Sequence, residues 1–376
     1  MKFAVVSLYG IVPPTTGAAS VTYHLAKFLP GQRVAVQLGP NDRERLLEDN
    51  LTLISVPNEE LNRLRKAWGV VRKMDRLVDI IRSLDPDVVF LEGGSWTLYY
   101  LILLRRLRRA RIRARIIYHA HNVEFKLRMQ RDGLAIAFLT RLAERALTRG
   151  ADLTTAVSEV DAALFEQLYG VRPKLLPNGV DTDRFGSVDE RRIQAVRERY
   201  GLVGKVVLFM GLLTYPPTRR GLDFLIDDVF PEVRRRCPEA RLAVTGGELG
   251  LDREWLINPG IIPFEDVPAF IKACDVCAAP IFSGSGTRVK ILEYMAAGKP
   301  VVATVKGAEG LAVVDGQDLL MAEDSGRFAE AIVSLLTRPD QARAVGERGR
   351  RSVTERFSWT RIVRDFLEDA EDVIPG

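Results

Sequence analysis

Cysteine and histidine are both scarce in this chain of 376 residues, which has 3 of each. Cys237, Cys274 and Cys277 are too few and too unevenly spaced for a disulfide framework, which points to a reducing compartment. Cys274 and Cys277 form a CxxC, but a zinc site needs a second ligand pair, and the surrounding IKACDVCAAP runs from helix into strand. Small core residues are the reading that fits. Long apolar runs are missing too. The longest, WTLYYLILL at 96–104, is far below the roughly 18 residues of a bilayer span, so a soluble or peripheral chain is expected. Low-complexity segments and short-period repeats are absent, which excludes disordered and solenoid classes.

What is present is an ordinary globular composition, 47% hydrophobic and 27% charged, over a length that favours two domains with separate cores. The opening MKFAVVSLYGIVPP reads as a buried first strand ending in a Pro-Pro turn, rather than as a signal peptide. Short apolar runs then alternate with helical stretches. Strands are expected at 3–8, 33–38, 51–56, 87–92 and 115–120, with a long helix over 60–83 and another around 96–110. Runs that are apolar on both faces and separated by helices belong to a parallel sheet covered on both sides. A second series starts at KVVLFMG (205–211) and continues through 240–247, 260–264, 275–281 and 300–304. The intervening KLLPNGVDTDRFGSVDE is rich in turn residues and reads as the linker. Two Rossmann-like halves, each with a doubly wound parallel sheet, are expected to face a cleft with their strand C-termini.

Charge is unevenly shared. Residues 1–180 hold 27 Lys and Arg against 18 Asp and Glu, a net +9, and the remainder is −4. Much of the excess lies in RRLRRARIRAR at 105–115, with Arg105, Arg106, Arg108, Arg109 and Arg113. Three readings stand for it: a solvated helix face, a patch for anionic lipid or a lipid-linked acceptor, and nucleic-acid binding. The last is set aside because no nucleic-acid module accompanies the arginines.

The run FSGSGTRVKILEYMAAGKPVV at 282–302 passes from a small, flexible loop into a helix. A helix start exposes unpaired amides and the positive dipole end. Gly284, Ser285, Gly286 and Thr287 supply an amide nest, and Arg288 and Lys290 add full charge suited to a diphosphate. Glu293, two turns after Ser285, is placed to accept hydrogen bonds from the vicinal hydroxyls of a ribose. The plainer alternative is a glycine loop followed by a solvated helix face.

This run resembles the nucleotide-binding segment of the retaining GT-B glycosyltransferases of family four, the glycogen-synthase-like group. YHAHNVE (118–124), LPNGVDTDRF (176–185) and ERFSWTRIVRDFL (355–367) extend the likeness. The resemblance implies an N-terminal acceptor-binding domain over 1–180 and a C-terminal nucleotide-sugar domain over 181–355. A terminal helix over 356–376 would return to the first domain. It assigns Glu293 to the donor ribose, Gly286 and Thr287 to the donor amides, His121 to the transferred sugar, and Gly17 to the turn after the first strand. His119, two residues earlier on the same strand side, stays open as an alternative. Gly211 falls in the loop where the family places an Arg and a Lys to clamp the diphosphate. Leu212 replaces that Arg, while Arg220 or Arg219 stands for the Lys, and Arg288 is expected to restore the missing charge. Ser285 takes the place of a family glutamate that contacts the hexose. Glu309 is expected either to position donor or acceptor or to cap a helix.

The implied reaction is transfer of a sugar, with retention, from a nucleoside diphosphate sugar to a hydroxyl acceptor. No cofactor or metal is expected, and Asp181–Asp183 falls in the linker rather than at a metal site. The implied acceptor is a glycan or a lipid-linked molecule, and the expected location is the cytoplasm or the inner face of a membrane. The departures at Ser285 and Leu212 keep a catalytically silent nucleotide-sugar module, or a GT-B-shaped epimerase, as competing readings.

Overall fold

The computed structural model describes all residues except 40–42, 59–62, 94–95, 284–287 and 375–376. The chain forms two units. One comprises Met1–Asn178 together with Trp359–Gly376, the other Gly179–Ser358.

In the first unit, eight strands make one sheet. They are β1 (Lys2–Ser7), β2 (Gln32–Gly39), β3 (Arg43–Glu48), β4 (Leu51–Pro57), β5 (Val88–Gly93), β6 (Arg115–Ala120), β7 (Leu153–Ala156) and β8 (Lys174–Leu175). Their spatial order is β3-β4-β2-β1-β5-β6-β7-β8. Only β3, at the edge, is antiparallel to its neighbour. The central strands are apolar on both faces because helices cover both, and Ala4, Val6, Val89, Leu91 and Ile116 lie in one continuous core with the helices Arg63–Leu84 and Thr97–Arg109. The other face receives the helix Trp359–Asp369, whose Trp359, Ile362, Val363 and Phe366 are buried. The Phe366 ring lies 6.1 Å from Phe90, and Trp359 stacks on His24.

The second unit is a six-stranded sheet of order β11-β10-β9-β12-β13-β14. Its strands are β9 (Lys205–Met210), β10 (Ala240–Thr245), β11 (Leu256–Gly260), β12 (Val276–Ala279), β13 (Val301–Ala303) and β14 (Leu320–Met321). Side chains alternate between two cores. Val206, Leu208, Cys277 and Val301 enter one, and Val207, Phe209, Val276 and Val302 the other.

Two expectations need correction. The strand expected at 260–264 lies earlier, at Leu256–Gly260, because Gly260 turns to φ 73° and ends it before Pro263. The segment read as a linker does hold the boundary between the units, at Asn178 and Gly179, but it is folded. It holds β8 and the short helix Thr182–Gly186, and Val180 and Phe185 are buried in the second unit's core. Cys274 and Cys277 are buried free thiols. Burial pushes the Cys274 thiol up to about 12 and raises the Cys277 thiol as well, so both sit in the core as neutral thiols.

Candidate active site

In the first unit, parallel register brings three polar residues side by side on adjacent strands. Glu92 of β5 pairs with His119 of β6, and His119 with Thr155 of β7. His121 follows β6 and turns its Nε2 to Glu92 Oε2 at 2.9 Å. The same Glu92 oxygen accepts from the Thr22 hydroxyl at 3.1 Å, and Thr22 in turn meets the Tyr9 hydroxyl at 3.1 Å. Glu92 is fully buried, which by itself would raise its pKa. The facing histidines, His119 and then His121, together with Thr22, reverse that effect and hold the carboxyl below its usual range. Burial drives His119 the other way, down to about 4, so it is neutral at physiological pH.

These states fix the proton positions. An ionised Glu92 can only accept, so His121 Nε2 carries a proton and its Nδ1 is left for another partner. His119 Nδ1 is held by the Thr155 hydroxyl at 2.7 Å, while its Nε2, like Glu92 Oε1, is buried without a hydrogen-bond partner. Glu92, His119 and His121 are also the one group among the described residues whose ligand atoms, all within 4.8 Å of one another, could hold a metal ion. Direct pairing of Glu92 with His121 already occupies one ligand atom of each, so the cluster as it stands orients an imidazole.

Close by in the chain, Gly17 opens the helix Gly17–Phe28 behind its cap Thr16, and the position of its missing Cβ faces open space. The arginine segment lies at the end of Thr97–Arg109 and beyond. Arg106 pairs with Asp75, and Arg108 reaches Asp152 at 2.8 Å and the Gly150 carbonyl. Arg105, Arg109 and Arg113 are exposed.

In the second unit, β9 ends at Met210 and is followed by Gly211, whose φ of 154° disfavours any side chain. A Cβ there would lie 2.6 Å from Lys290 Nζ, so the ammonium end of the lysine rests directly against the glycine. Lys290 belongs to the helix Val289–Ala296, which Arg288 precedes, and its ammonium sits over the Phe209 ring at 5.2 Å. Withdrawal from solvent, and then the charge of Arg288, bring its pKa down to about 8. Glu293, one turn on, is pushed up to about 7 by burial, against the pull of Arg184 and Lys290. Tyr294 anchors the same helix by accepting from the Met210 amide at 2.9 Å. Gly211, Arg288, Lys290 and Glu293 therefore stand together at the end of β9.

The remaining site residues are placed differently. Arg219 and Arg220 lie on the helix Pro216–Asp223. Arg219 pairs with Asp223 at 2.8 Å, and Arg220 sits 5.5 Å from the Phe282 ring centre. Ser285, Gly286 and Thr287 lie outside the described residues. Glu309 sits at the C-terminal end of Val305–Ala308, where it pairs with Lys306 at 2.5 Å. Thr304 is the N-cap of that helix and Glu309 is its C-cap residue, so of the two roles considered for Glu309 it holds the capping position, at the C-terminal end.

A family model for glycosyltransferase family 4 matches residues 15–184, and one for glycosyl transferases group 1 matches 204–338. The GDP-mannose-dependent alpha-(1-6)-phosphatidylinositol monomannoside mannosyltransferase of Mycolicibacterium smegmatis is 33% identical over 281 residues, 69% of this chain and 70% of that protein. The chain belongs to glycosyltransferase family 4. As a family member it is a retaining GT-B glycosyltransferase, moving a sugar from a nucleoside diphosphate sugar to a hydroxyl acceptor. The mannosylfructose-phosphate synthase of Agrobacterium fabrum is 29% identical, covering 60% of this chain and 54% of that one. Among solved structures, Anabaena Alr3699/HepE in complex with UDP and glucose aligns with a TM-score of 0.75 at 20% identity, covering 99% of this chain and 100% of that one. At that identity the likeness shows the fold.

Sequence reasoning missed Glu92, Thr22 and Arg184. A carboxylate closing the apolar strand DVVFLE was the available signal for Glu92. Thr22 and Arg184 carry none.

Proposed function

We propose that this family 4 enzyme takes a mannosyl group from GDP-mannose and delivers it, without a metal ion, to a hydroxyl of a lipid-linked acceptor. The observation that carries the reading is the cluster after β9, where the Lys290 ammonium rests against Gly211 and Glu293 lies one turn further along the same helix. An arriving diphosphate would hold the proton on Lys290, and Arg288 adds a second charge for the leaving group. Glu293 as a carboxylate accepts from both ribose hydroxyls. The bond from the anomeric carbon to the diphosphate breaks as the acceptor oxygen bonds on the same face, and the acceptor proton passes to the departing phosphate oxygen. His121, oriented by Glu92, is assigned to the sugar being transferred. The named activity of the mycobacterial relative supports the choice of donor and of a lipid-linked acceptor.

The test is thermal unfolding against GDP, UDP and ADP and their sugars, with wild type beside Glu293→Ala. GDP-mannose at about a hundred times its Kd should stabilise the wild type by roughly 2.7 kcal/mol, and the variant far less. Because Glu293 titrates at about 7, the wild-type gain should grow from pH 6 to pH 8 as the carboxylate forms. Stabilisation by UDP alone would replace the donor assignment, and stabilisation by no nucleotide would sink the transferase site. Full activity of the enzyme in a chelator would support the metal-free route.

A further inference from the structure

The helix Leu134–Gly150 is built inside out over its first turns. Leu134 is 74% exposed, Phe138 58%, Leu139 66% and Leu142 49%, and Met129 of the preceding helix Glu124–Arg131 is exposed as well. Leu134, Phe138 and Leu142 follow one another at four-residue steps and so form one outward stripe. Arg145 continues that stripe, and Lys126 and Arg141 are exposed on the same two-helix segment. The carboxylates of the segment are already engaged. Glu144 is buried, where it accepts from the amides of Glu124 and Phe125 and from the Tyr169 hydroxyl, while Asp132 is engaged by Arg128 and Arg131.

We propose that this outward face of 126–145 docks on an anionic lipid bilayer. Several large apolar side chains in a row, with cations beside them and no exposed carboxylate on the helix, match an acyl layer beneath negative headgroups. A second copy of the chain fits less well, because a two-fold contact would set Arg141 and Arg145 near their own mates with no exposed acid on the helix to answer them. The inference rests on the lipid-linked acceptor proposed above and gives that acceptor's surroundings a place on the protein. The two helices come directly after β6 and His121 in the chain. It also moves the membrane contact away from the arginine segment at 105–113, where Arg106 and Arg108 already have protein partners.

Vesicle sedimentation tests it, with phosphatidylcholine vesicles either alone or containing phosphatidylglycerol. Wild type should bind only the anionic vesicles, and less as salt rises. The double variant Phe138→Ser, Leu139→Ser should lose at least about tenfold in partition coefficient with an unchanged Tm, since both side chains are exposed. Arg105→Ala with Arg109→Ala should bind nearly as wild type. Equal binding by the serine variant would overturn the proposal. So would a wild type that ignores both vesicles yet is stabilised by GDP-mannose, a result that leaves the transferase reading intact. A dimer in solution that the serine variant dissociates would overturn it in favour of a second copy. Vesicle binding without any nucleotide stabilisation would support the docking face and remove the function it was thought to serve.

Discussion

At the scale of single residues, what distinguishes this chain is how burial is used to set protonation. Glu92 stays ionised although no water reaches it, because two histidines and a hydroxyl face it, while Glu293 and Lys290 are drawn toward neutrality from opposite sides. Glu92 touches His121 rather than the substrate, so it is a positioning residue. Glu92→Gln keeps the shape and loses the charge. We expect kcat to fall by about tenfold while the donor KM and the Tm stay close to wild type. A parallel fall in Tm would reassign Glu92 to structure. Lys290 and Glu293 were legible in the sequence because their spacing on one helix is local. Glu92 was not, since its meaning depends on lying opposite His119 on another strand.

At the scale of elements, close backbone approaches decide several helix placements. The helix Pro339–Phe357 carries Gly346 in its interior, ordinarily a weakness in a helix. A Cβ at Gly346 would lie 2.2 Å from the Gly298 carbonyl oxygen, so the glycine lets this helix rest on the turn after Val289–Ala296. Gly346→Ala should therefore destabilise by about 1–3 kcal/mol, where an unhindered Gly→Ala gains roughly 0.4–1 kcal/mol. Thermal or denaturant unfolding reads the sign directly, and a rise in stability would refute the contact. The helix–turn–strand succession around Gly298 was readable from EYMAAGKPVV, because Gly298 adopts φ 71° just past the helix end and a proline follows. The antiparallel edge strand β3 was not, since RERLLE alternates too weakly to announce a strand.

At the scale of the whole molecule, chain order and spatial order part company. The last helix belongs to the first unit, where it buries four large side chains on a face that includes Phe90 and His24. At about 1.5–3 kcal/mol for each large side chain buried, their loss rivals the roughly 5–15 kcal/mol by which a domain is stable. Ending the chain at Ser358 should leave the first unit open to protease, with fragments from residues 1–178 appearing before those of 179–358. Equal resistance of both units would show that the helix is dispensable. Among the described residues no helix is long and apolar enough to cross a membrane.

By itself the sequence determined what local periodicity and composition can encode. Two series of buried strands separated by helices, the cations and carboxylate on the helix after the glycine loop, and the thiols' place in the core all follow from neighbours in the chain. Tertiary structure decided what depends on pairing across strands and on which side of a helix is covered. Register joins Glu92 to the histidines. Folded structure likewise takes Val180 and Phe185 from an apparent linker into a core. In the helix Leu134–Gly150 apolar residues occur on more than one side, so periodicity alone could not say which would be buried. Packing covers Ala137, Ala143 and Leu147 and leaves Phe138 and Leu139 outside. Burial is a property of the neighbours a face meets, and only the folded chain supplies them.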